Sequence, residues 1–419
     1  MQGEPVLRRQ FTWLWAAYAV SAFGTWLAFD AFPVLAIRVL HAGPGRVSLL
    51  AAAGLAVGAV LALPLGPWVE FRRKQPVMIA MDLVRCAALL TVPLAYVLNQ
   101  LVFVQLLLVS VLVSAADITF TAASGARLKS LVPEEDLLAA NGRFESTTWT
   151  ATLLGPPLGG AAIGLLGPVV TVVANAAGFA LSAAGIRAIG GGEPHPARAP
   201  GRGLRAADLA EGWRFLLTHP SLRPLFFNVL LVNGLIMAAA PLMAVLMLGE
   251  LGFAPWEYGL AFAAPGIGGL VGSRLARRLA GRFGRHHVLL TAGALRAGWP
   301  LGLVFVRPGA FGLVLVIAVE FGLITCCAVF NPVLATHRLR QVPADRITRT
   351  LSAWSIAGKA VTATLTALGG GLAGLTGPRA AVGLAGLALL ATPLLLLSLR
   401  DDRSREPGPV SGPGARRGR

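Results

Sequence analysis

Long apolar runs separated by short polar breaks occupy the chain from about residue 11 onward. An α-helix needs about 20 predominantly apolar residues to cross the hydrocarbon core of a bilayer, and each run reaches roughly that length. The pattern predicts twelve membrane-spanning helices, at about residues 11–37, 46–69, 77–98, 101–125, 138–166, 168–189, 224–248, 256–276, 288–306, 310–335, 348–376 and 379–399. The first run is too long for the apolar region of a cleaved signal peptide, so we predict that it is a membrane helix.

The second half of the chain repeats the pattern of the first half at an offset of about 211 residues. A charged break at 66–76 follows the second run, and a similar break at 277–287 follows the eighth run. Arg85 and Arg296 then occupy equivalent positions in the runs after these breaks. A repeat of this length, built from apolar spans, is typical of secondary transporters. We therefore predict an all-α membrane protein with two pseudo-symmetric six-helix bundles.

The repeat also sets the expected domain boundaries. The two bundles cover residues 1–190 and 224–400. The cytoplasmic linker at 191–223 begins with a Gly/Pro/Arg-rich stretch. Its second part places apolar residues at helical spacing around Trp213, which predicts an amphipathic helix on the cytoplasmic face. The tail at 401–419 is rich in Gly, Pro and Arg and is predicted to be disordered.

Composition and charge support a membrane protein. Hydrophobic residues make up 55% of the chain and charged residues only 13%, whereas a soluble domain carries roughly 25% charged residues. The net charge of +17 does not indicate nucleic-acid binding, because the basic residues cluster in the polar breaks. Of the 36 Lys and Arg residues, 29 lie in or next to the termini and the even-numbered breaks, and 4 lie in the odd-numbered breaks. The positive-inside rule therefore predicts a multi-pass protein of the cell (inner or plasma) membrane with both termini in the cytoplasm.

No motif for enzymatic chemistry is present. The sequence contains no Gly-x4-Gly-Lys-Ser/Thr element for ATP and no metal-ligand spacing among its His, Cys and Asp residues. Its three cysteines all lie in apolar runs and fit small core residues. We expect no cofactor, no metal and no enzymatic activity. The expected partners are a small-molecule substrate, protons and lipid, with a monomeric chain.

The first charged break resembles the signature loop of the major facilitator superfamily, Gly-x-x-x-Asp-Arg-x-Gly-Arg-Arg. Gly66 matches, Glu70 replaces the Asp, and Lys74 supplies a basic residue at the end, with Arg72 as a further basic residue. The family's first Arg is Phe71 in this chain.

In the second break, Arg282, Gly284 and Arg285 match Arg-x-Gly-Arg, while Gly281 replaces the family's Asp. In the family this loop makes charge contacts with neighbouring helix ends. The missing acid puts such a contact in doubt in the second copy. A topology-determining positive loop is the alternative explanation for both copies.

The fifth span resembles the superfamily's antiporter motif, Gly-x8-Gly-x3-Gly-Pro-x2-Gly-Gly. The matching residues are Gly142, Gly155, Pro156, Gly159 and Gly160, and Ala151 replaces the second Gly. Small residues four apart form a smooth helix face that permits close packing of another helix, and proline bends the span. We expect this face at a gate between the halves; ordinary small-residue packing is the alternative. The family associates the motif with export by exchange.

Over roughly residues 5–400 the chain is most similar to the enterobactin exporter and macrolide efflux branch of the superfamily. The residues that suggest this are 21–26 in the first span, 131–136 with 140–141, and 211–216 before the seventh span. The resemblance implies efflux of a siderophore, a macrolide or another amphipathic natural product. Many drug exporters carry an Arg in the fourth span, but this chain has Asp117 there, so a proton relay through that Arg does not carry over.

Charged residues inside apolar spans are the main candidates for mechanism, since each costs about 2.5–3.5 kcal/mol at a helix centre and needs a partner, water or a task. A buried carboxylic acid can take up and release a proton when its environment alternates. The proton-coupling candidates are Asp30, Glu320 and Lys359. The other intramembrane charges are Asp82, Arg85, Asp117 and Arg296. The structural alternative pairs Glu320 with Lys359, and Asp117 with Arg85.

Polar and aromatic residues in the spans are candidates for a substrate cavity. They are Phe23 and Trp26 in the first span, Asn228 and Asn233 in the seventh, and Asn331 in the tenth. Interface aromatics and asparagines that bond across helices are the alternatives. The leading hypothesis is a proton-driven exporter of a small amphipathic molecule. A metabolite importer of the same fold, and a membrane sensor or lipid-moving protein, remain as alternatives.

Overall fold

The structure is a computed structural model that describes residues 4–28, 30–70, 72–132, 137–190, 206–343 and 346–398. All regular structure in these ranges is helical, and no strand occurs in them. The side chains of 61–70, including Gly66 and Glu70, and Gly142 lie outside what is described, as do Phe29, the first part of the linker and the tail at 401–419.

The first half contains seven helices, two of which share one predicted span. They are α1 (Glu4–Leu27), α2 (Ala31–Val34, continued by a π-helical turn over Leu35–Val39), α3 (Pro44–Glu70), α4 (Lys74–Val97), α5 (Phe103–Leu131), α6 (Leu137–Leu166) and α7 (Pro168–Ala188).

The linker and the second half contain eight more helices. They are α8 (Ala206–Thr218), α9 (Leu222–Ala244, continued by a π-helical turn over Val245–Glu250), α10 (Pro255–Ala263), α11 (Gly266–Phe283), α12 (Arg285–Gly298, continued by a 3₁₀ turn over Trp299–Phe305), α13 (Ala310–Gln341), α14 (Ile347–Thr376) and α15 (Pro378–Ala391, continued by a 3₁₀ turn over Thr392–Ser398).

Every apolar run of the sequence is helical in the structure, and nine helices in the described ranges are long and apolar enough to cross a membrane. Two spans that were predicted as continuous helices are interrupted in the structure. The first is interrupted between α1 and α2, just before Asp30, and the eighth is interrupted by a turn at Ala264 and Pro265. Proline has no amide hydrogen to continue a helical ladder, which accounts for the second interruption.

The two halves meet through two helix pairs. Helix α3 of the first half packs against α14 of the second, and α6 packs against α10. At one end of the molecule these contacts are tight: Gly370 of α14 lies directly against Ser48 of α3, and Arg38 donates a hydrogen bond of 2.9 Å from Nη2 to the carbonyl oxygen of Phe253.

The apolar cores follow the same division. One core runs through both halves at the end that holds Arg38 and Phe253. At the opposite end, where α1 begins, each half has a core of its own, one around Met78 and the other around Phe330. The apolar core is therefore shared by the halves at one end, the sealed end, and divided between them at the other, the separated end.

The amphipathic helix predicted in the linker is α8, and it packs against protein. Glu211 forms a hydrogen-bonded salt bridge of 2.5 Å with Arg349, and the Trp213 indole donates a hydrogen bond of 3.0 Å to the carbonyl oxygen of Ala353. Leu216 is fully buried in the second half's own core. Helix α8 thus clamps the beginning of α14 at the separated end of the molecule.

Candidate transport cavity and buried charges

A cavity of about 430 Å³ lies between α3, α9 and α14. One face of α9 and one face of α14 line the cavity, together with Leu55 of α3 from the other half. The residues are Leu55, Val229, Leu230, Asn233, Ile236, Met237, Trp354, Ser355, Gly358, Lys359 and Thr362. Two candidates from the sequence, Asn233 and Lys359, therefore share one cavity, and Lys359 is the charged residue among the described residues of its lining.

Asp117 belongs to α5 of the first half, and Lys359 belongs to α14 of the second half. Lys359 is close enough to Asp117 to act on its charge. The Asp117 side chain is 53% exposed although it lies within an apolar helix.

Arg85 is buried inside the first half and is hydrogen-bonded to two carboxyl groups. Its Nη1 donates a hydrogen bond of 2.8 Å to Oδ1 of Asp117, and its Nη2 is hydrogen-bonded to Asp82. The guanidinium also lies over the rings of Phe179 and Phe120, at 4.1 and 4.5 Å from their centroids. The pairing of Asp117 with Arg85, one of the alternatives from the sequence, is therefore formed.

Arg296, the repeat partner of Arg85, has a different environment. Its Nη2 donates a hydrogen bond of 2.5 Å to Oδ1 of Asn228, and its guanidinium lies 3.6 Å from the Phe330 ring centroid. The Asn228 amide in turn donates to the carbonyl oxygen of Thr392 at 2.9 Å. In the described ranges no carboxylate forms a salt bridge with Arg296. Asn228, one of the cavity candidates, is thus a fully buried cross-helix partner and does not line the cavity.

Asp30 and Glu320 come together around a residue that the sequence analysis missed. Both carboxyl groups lie close enough to Tyr258 of α10 to act on its phenol. Asp30 belongs to the first half and Glu320 to the second, and Tyr258 is buried in the core that both halves share. Asp30 is next to Ala31 and Glu320 is next to Val319 in the chain, and both of these apolar residues belong to the shared core, so both candidate acids lie at the sealed end of the molecule.

The structural alternative that pairs Glu320 with Lys359 is not formed as a salt bridge among the residues that the structure describes. Helix α13, which carries Glu320, packs against α11 and α12, whereas α14, which carries Lys359, packs against α3, α8 and α9. Lys359 acts on Asp117, and Glu320 acts on Tyr258. Consecutive spans in the chain are not neighbours here, so closeness in sequence gave the wrong partner.

The glycines of the fifth span serve two different contacts. A Cβ atom at Gly155 would lie 2.5 Å from Cβ of Trp26, and one at Gly159 would collide with the carbonyl oxygen of Leu27. Both contacts are inside the first half. A Cβ atom at Gly160 would lie 2.6 Å from the carbonyl oxygen of Pro255, which belongs to the second half. The expected gate face around Gly155 and Gly159 is therefore an internal packing face, and Gly160 makes the contact between halves.

The same contact is reciprocated from α10. A Cβ atom at Gly259 would lie 2.5 Å from the carbonyl oxygen of Pro156. The backbones of α6 and α10 thus touch through Gly160 and Gly259. Small residues permit this approach of two helices.

Three further cavity candidates lie elsewhere. Trp26 packs against α6, and Phe23 precedes it by one turn on α1. Asn331 is exposed on α13. None of the three lines the cavity beside Lys359.

The two charged breaks differ in their turns. In the first break, Lys74 begins α4 and donates a hydrogen bond of 2.6 Å to the carbonyl oxygen of Arg72. In the second break, Gly284 has φ of 81° and separates α11 from α12, with exposed Arg282 and Arg285 on either side. A positive φ favours glycine, which explains why this residue stands at the turn.

Some of the missed residues carried a signal and others did not. Phe120 and Phe330, which cover the two buried arginines, are 210 residues apart and so occupy equivalent positions of the repeat. Comparing the halves residue by residue would have found them. No pattern in the sequence marks Tyr258 or Trp354, because their roles depend on how α10 and α14 pack.

The sequence matches known transporters over its whole length. The profile of the Major Facilitator Superfamily matches residues 14–336 and 237–418. A protein of Mycobacterium tuberculosis strain H37Rv named multidrug efflux pump Tap is 30% identical over 287 residues, which covers 66% of this chain and 67% of that protein. An MFS-type transporter of Bacillus subtilis, YvqJ, is 27% identical over 308 residues and covers 70% of both chains.

Solved structures share the fold. A bacterial homologue of the iron transporter ferroportin, solved in its inward-facing state, aligns with a TM-score of 0.74 at 17% identity and covers 94% of this chain and 99% of that one. The nucleoside transporter NupG aligns with a TM-score of 0.73 at 11% identity over 94% and 98% of the two chains. Two repeated helical bundles, a cavity between them and the match along the sequence agree: the chain belongs to the major facilitator superfamily.

Proposed function

We propose that the protein is a secondary active efflux transporter that moves a small amphipathic molecule by alternating access, in exchange for protons. The observation that carries this proposal is the division of the cores: one core joins the halves at one end, two separate cores lie at the other, and the cavity lies between the halves. A molecule that alternates between two such arrangements exposes one site to each side of the membrane in turn.

The charge distribution supports an orientation for this state. The separated end carries the start of α1, the Arg72–Lys74 turn and the Arg282–Arg285 turn, and positively charged loops favour the cytoplasm. The cavity would then open inward, which is also the state in which the ferroportin homologue was solved. Both termini would lie in the cytoplasm.

Two observations favour efflux over import. The relatives that cover two thirds of the chain include proteins named as multidrug efflux pumps. The fifth span also retains Pro156 and Gly160 of the motif that the family associates with export by exchange, and Gly160 lies at the contact between halves. Asp30 and Glu320 are the proposed proton-coupling groups, since they are acids from opposite halves at the sealed end.

Everted membrane vesicles test the proposal. We expect vesicles with an acidified lumen to accumulate one or more dyes from a panel of cationic, neutral and anionic amphipathic fluorophores, and to lose accumulation when the pH gradient is collapsed. Vesicles without the protein are the control. Uptake only into right-side-out vesicles would favour the importer, and no gradient-driven movement in either orientation would favour a sensor or lipid-moving protein.

A further inference from the structure

We infer that the cavity beside Lys359 binds an amphipathic molecule that carries an anionic group, with Lys359 as the residue that recognises the anion. This inference rests on the proposed function, because it names the chemical class of the transported molecule. It does not follow from the family, whose members handle diverse substrates.

Each polar side chain of the cavity can donate a hydrogen bond, and Lys359 can only donate. Ser355, Lys359 and Thr362 lie on one face of α14, at spacings of four and three residues, and Asn233 faces them from α9. An ammonium group offers three donors and no acceptor, and amide and hydroxyl groups can add more. Such a set suits a carboxylate, sulfonate or phosphate, whose oxygens accept hydrogen bonds.

The rest of the lining is apolar. Val229, Leu230, Ile236 and Met237 of α9 form one wall, and Leu55 of α3 contributes from the other half. An apolar wall with few polar groups is typical of small-molecule sites, and a cavity of 430 Å³ lies within the usual range of about 300–1,000 Å³. The ligand therefore needs an apolar body as well as the anion.

The charge of Lys359 is available to a ligand. In the part of the chain that the structure describes, no carboxylate forms a salt bridge with Lys359. Asp117, the acid that acts on it across the space between the halves, is hydrogen-bonded to Arg85 at 2.8 Å. An anion in the cavity would give Lys359 a direct partner in an apolar setting, where such pairs are strongest.

Trp354 is held in place at the end of this face. Phe226 packs against its ring edge-on at a centroid distance of 5.0 Å, and the Arg338 guanidinium lies 4.9 Å from the ring centroid. Trp354 is buried in the second half's own core, so this fixed indole shapes the wall of the cavity beside the cation.

Two fluorescent probes with the same aromatic body test the inference. 1-Anilinonaphthalene-8-sulfonate carries an anion, and N-phenyl-1-naphthylamine is its neutral counterpart. Binding of each is titrated to the purified full-length protein in a neutral detergent, with no pH gradient. We expect the sulfonate to bind at least about tenfold more tightly than the neutral probe, as a charge-assisted hydrogen bond predicts.

Variants at position 359 then test whether Lys359 causes the preference for the sulfonate over the neutral probe. Lys359→Gln should weaken sulfonate binding about tenfold and change binding of the neutral probe less than about twofold, while Lys359→Arg should keep the preference. Arg214→Gln, on the exposed face of α8, is the charge-matched control and should change neither. Unchanged neutral-probe binding shows that the Lys359→Gln cavity is intact. Sulfonate binding that is indifferent to Lys359→Gln overturns the inference.

A lipid headgroup offers the same chemistry as a free anion. Adding phosphatidylglycerol to the detergent separates the two sources: unchanged sulfonate affinity supports a small-molecule ligand, whereas displacement by the lipid in the wild type but not in Lys359→Gln assigns the site to lipid and overturns the inference. The binding experiment and the transport experiment also test the two proposals independently of each other. Lys359-dependent binding without gradient-driven movement removes the proposed function alone, and dye transport without Lys359-dependent binding removes this inference alone.

Discussion

Arg85 donates a hydrogen bond of 2.8 Å from Nη1 to Oδ1 of Asp117, which joins α4 to α5 within the apolar part of the first half. Asp82 binds the other amino group of the same guanidinium. One cation thus holds two carboxylates, whereas its repeat partner Arg296 is held by the neutral amide of Asn228. This difference between equivalent positions gives the first prediction.

Arg85→Met should destabilise the protein by about 3–5 kcal/mol, because it leaves the fully buried carboxyl group of Asp82 without its cation. Arg296→Met is the matched control and should cost about 1–3 kcal/mol, since it leaves only a neutral amide oxygen unpaired. Thermal unfolding in detergent, followed by tryptophan fluorescence, measures both.

A further variant shows whether charge is the cause. Replacing Asp82 and Asp117 by Asn in the Arg85→Met background removes the unpaired charges and should recover most of the lost melting temperature. An Arg296→Met protein that is as unstable as Arg85→Met would contradict this account of the two sites.

Gly160→Ala should favour an arrangement in which α6 and α10 are apart, because the new Cβ would lie 2.6 Å from the Pro255 carbonyl oxygen in the sealed state. Spin labels on Gln100 and Ala310, both exposed at the sealed end of their halves, should report a longer distance than in the parent protein.

Two nearby glycines control for this effect. Gly164→Ala should leave the distance unchanged, since its Cβ would meet Cδ1 of Trp256 at an ordinary 3.9 Å. Gly159→Ala should lower thermal stability instead, because it strikes Leu27 of its own half. An unchanged label distance in Gly160→Ala would show that this contact does not hold the halves together.

Glu320→Gln should abolish dye movement driven by a pH gradient and leave exchange down a dye gradient intact, because glutamine mimics the protonated acid permanently. Everted vesicles with and without an acidified lumen measure both activities at several lumen pH values. The loss should persist at every pH, since no proton can be carried at that position.

Lys359→Gln should not rescue the Glu320→Gln protein, because α14, which carries Lys359, packs against α3, α8 and α9, whereas α13, which carries Glu320, packs against α11 and α12. Tyr258→Phe, which keeps the ring and removes the hydroxyl, tests the neighbour that the two acids share. pH-driven movement that returns in the double variant would mean that Glu320 only neutralises Lys359, and would leave Asp30 as the remaining candidate for coupling.

Cysteines at the two ends of the molecule should be labelled from opposite sides of the membrane. A membrane-impermeant maleimide should react in intact cells with Gln100→Cys and not with Ser130→Cys, because the separated end is expected in the cytoplasm. Labelling is measured above the wild-type background from the three native cysteines. Reaction at position 130 in intact cells would reverse the proposed orientation.

Much of the fold could be predicted from the sequence, because bilayer length and charge leave a direct mark on it. The apolar runs become helices, and the offset between Arg85 and Arg296 identified the repeat. The break before Asp30 was missed, since it leaves the apolar pattern intact. The break at Pro265 could have been predicted, because proline commonly interrupts a helix.

The candidate site could be predicted only in part, because periodicity does not say which helix a face meets. Gly159 and Gly160 are adjacent in sequence, yet one contacts its own half and the other contacts the opposite half. Lys359 and Asn233 could be identified as polar residues in apolar spans, but their meeting in one cavity depends on the packing of α9 against α14. Tyr258 could not be identified at all without knowing that Asp30 and Glu320 lie beside it.

Helix α14 connects three features of the molecule along one rigid body. Its 30 residues span about 45 Å, with the α8 clamp near Arg349, the cavity cation Lys359 in the middle and the seal at Gly370 toward the far end. If α14 tilts as a rigid body by about 10° around Lys359, its two ends move by about 4 Å in opposite directions. A movement of α8 would therefore be transmitted along α14 to the contact at Gly370. A molecule bound to Lys359 would lie at the centre of this rotation, where the helix moves least.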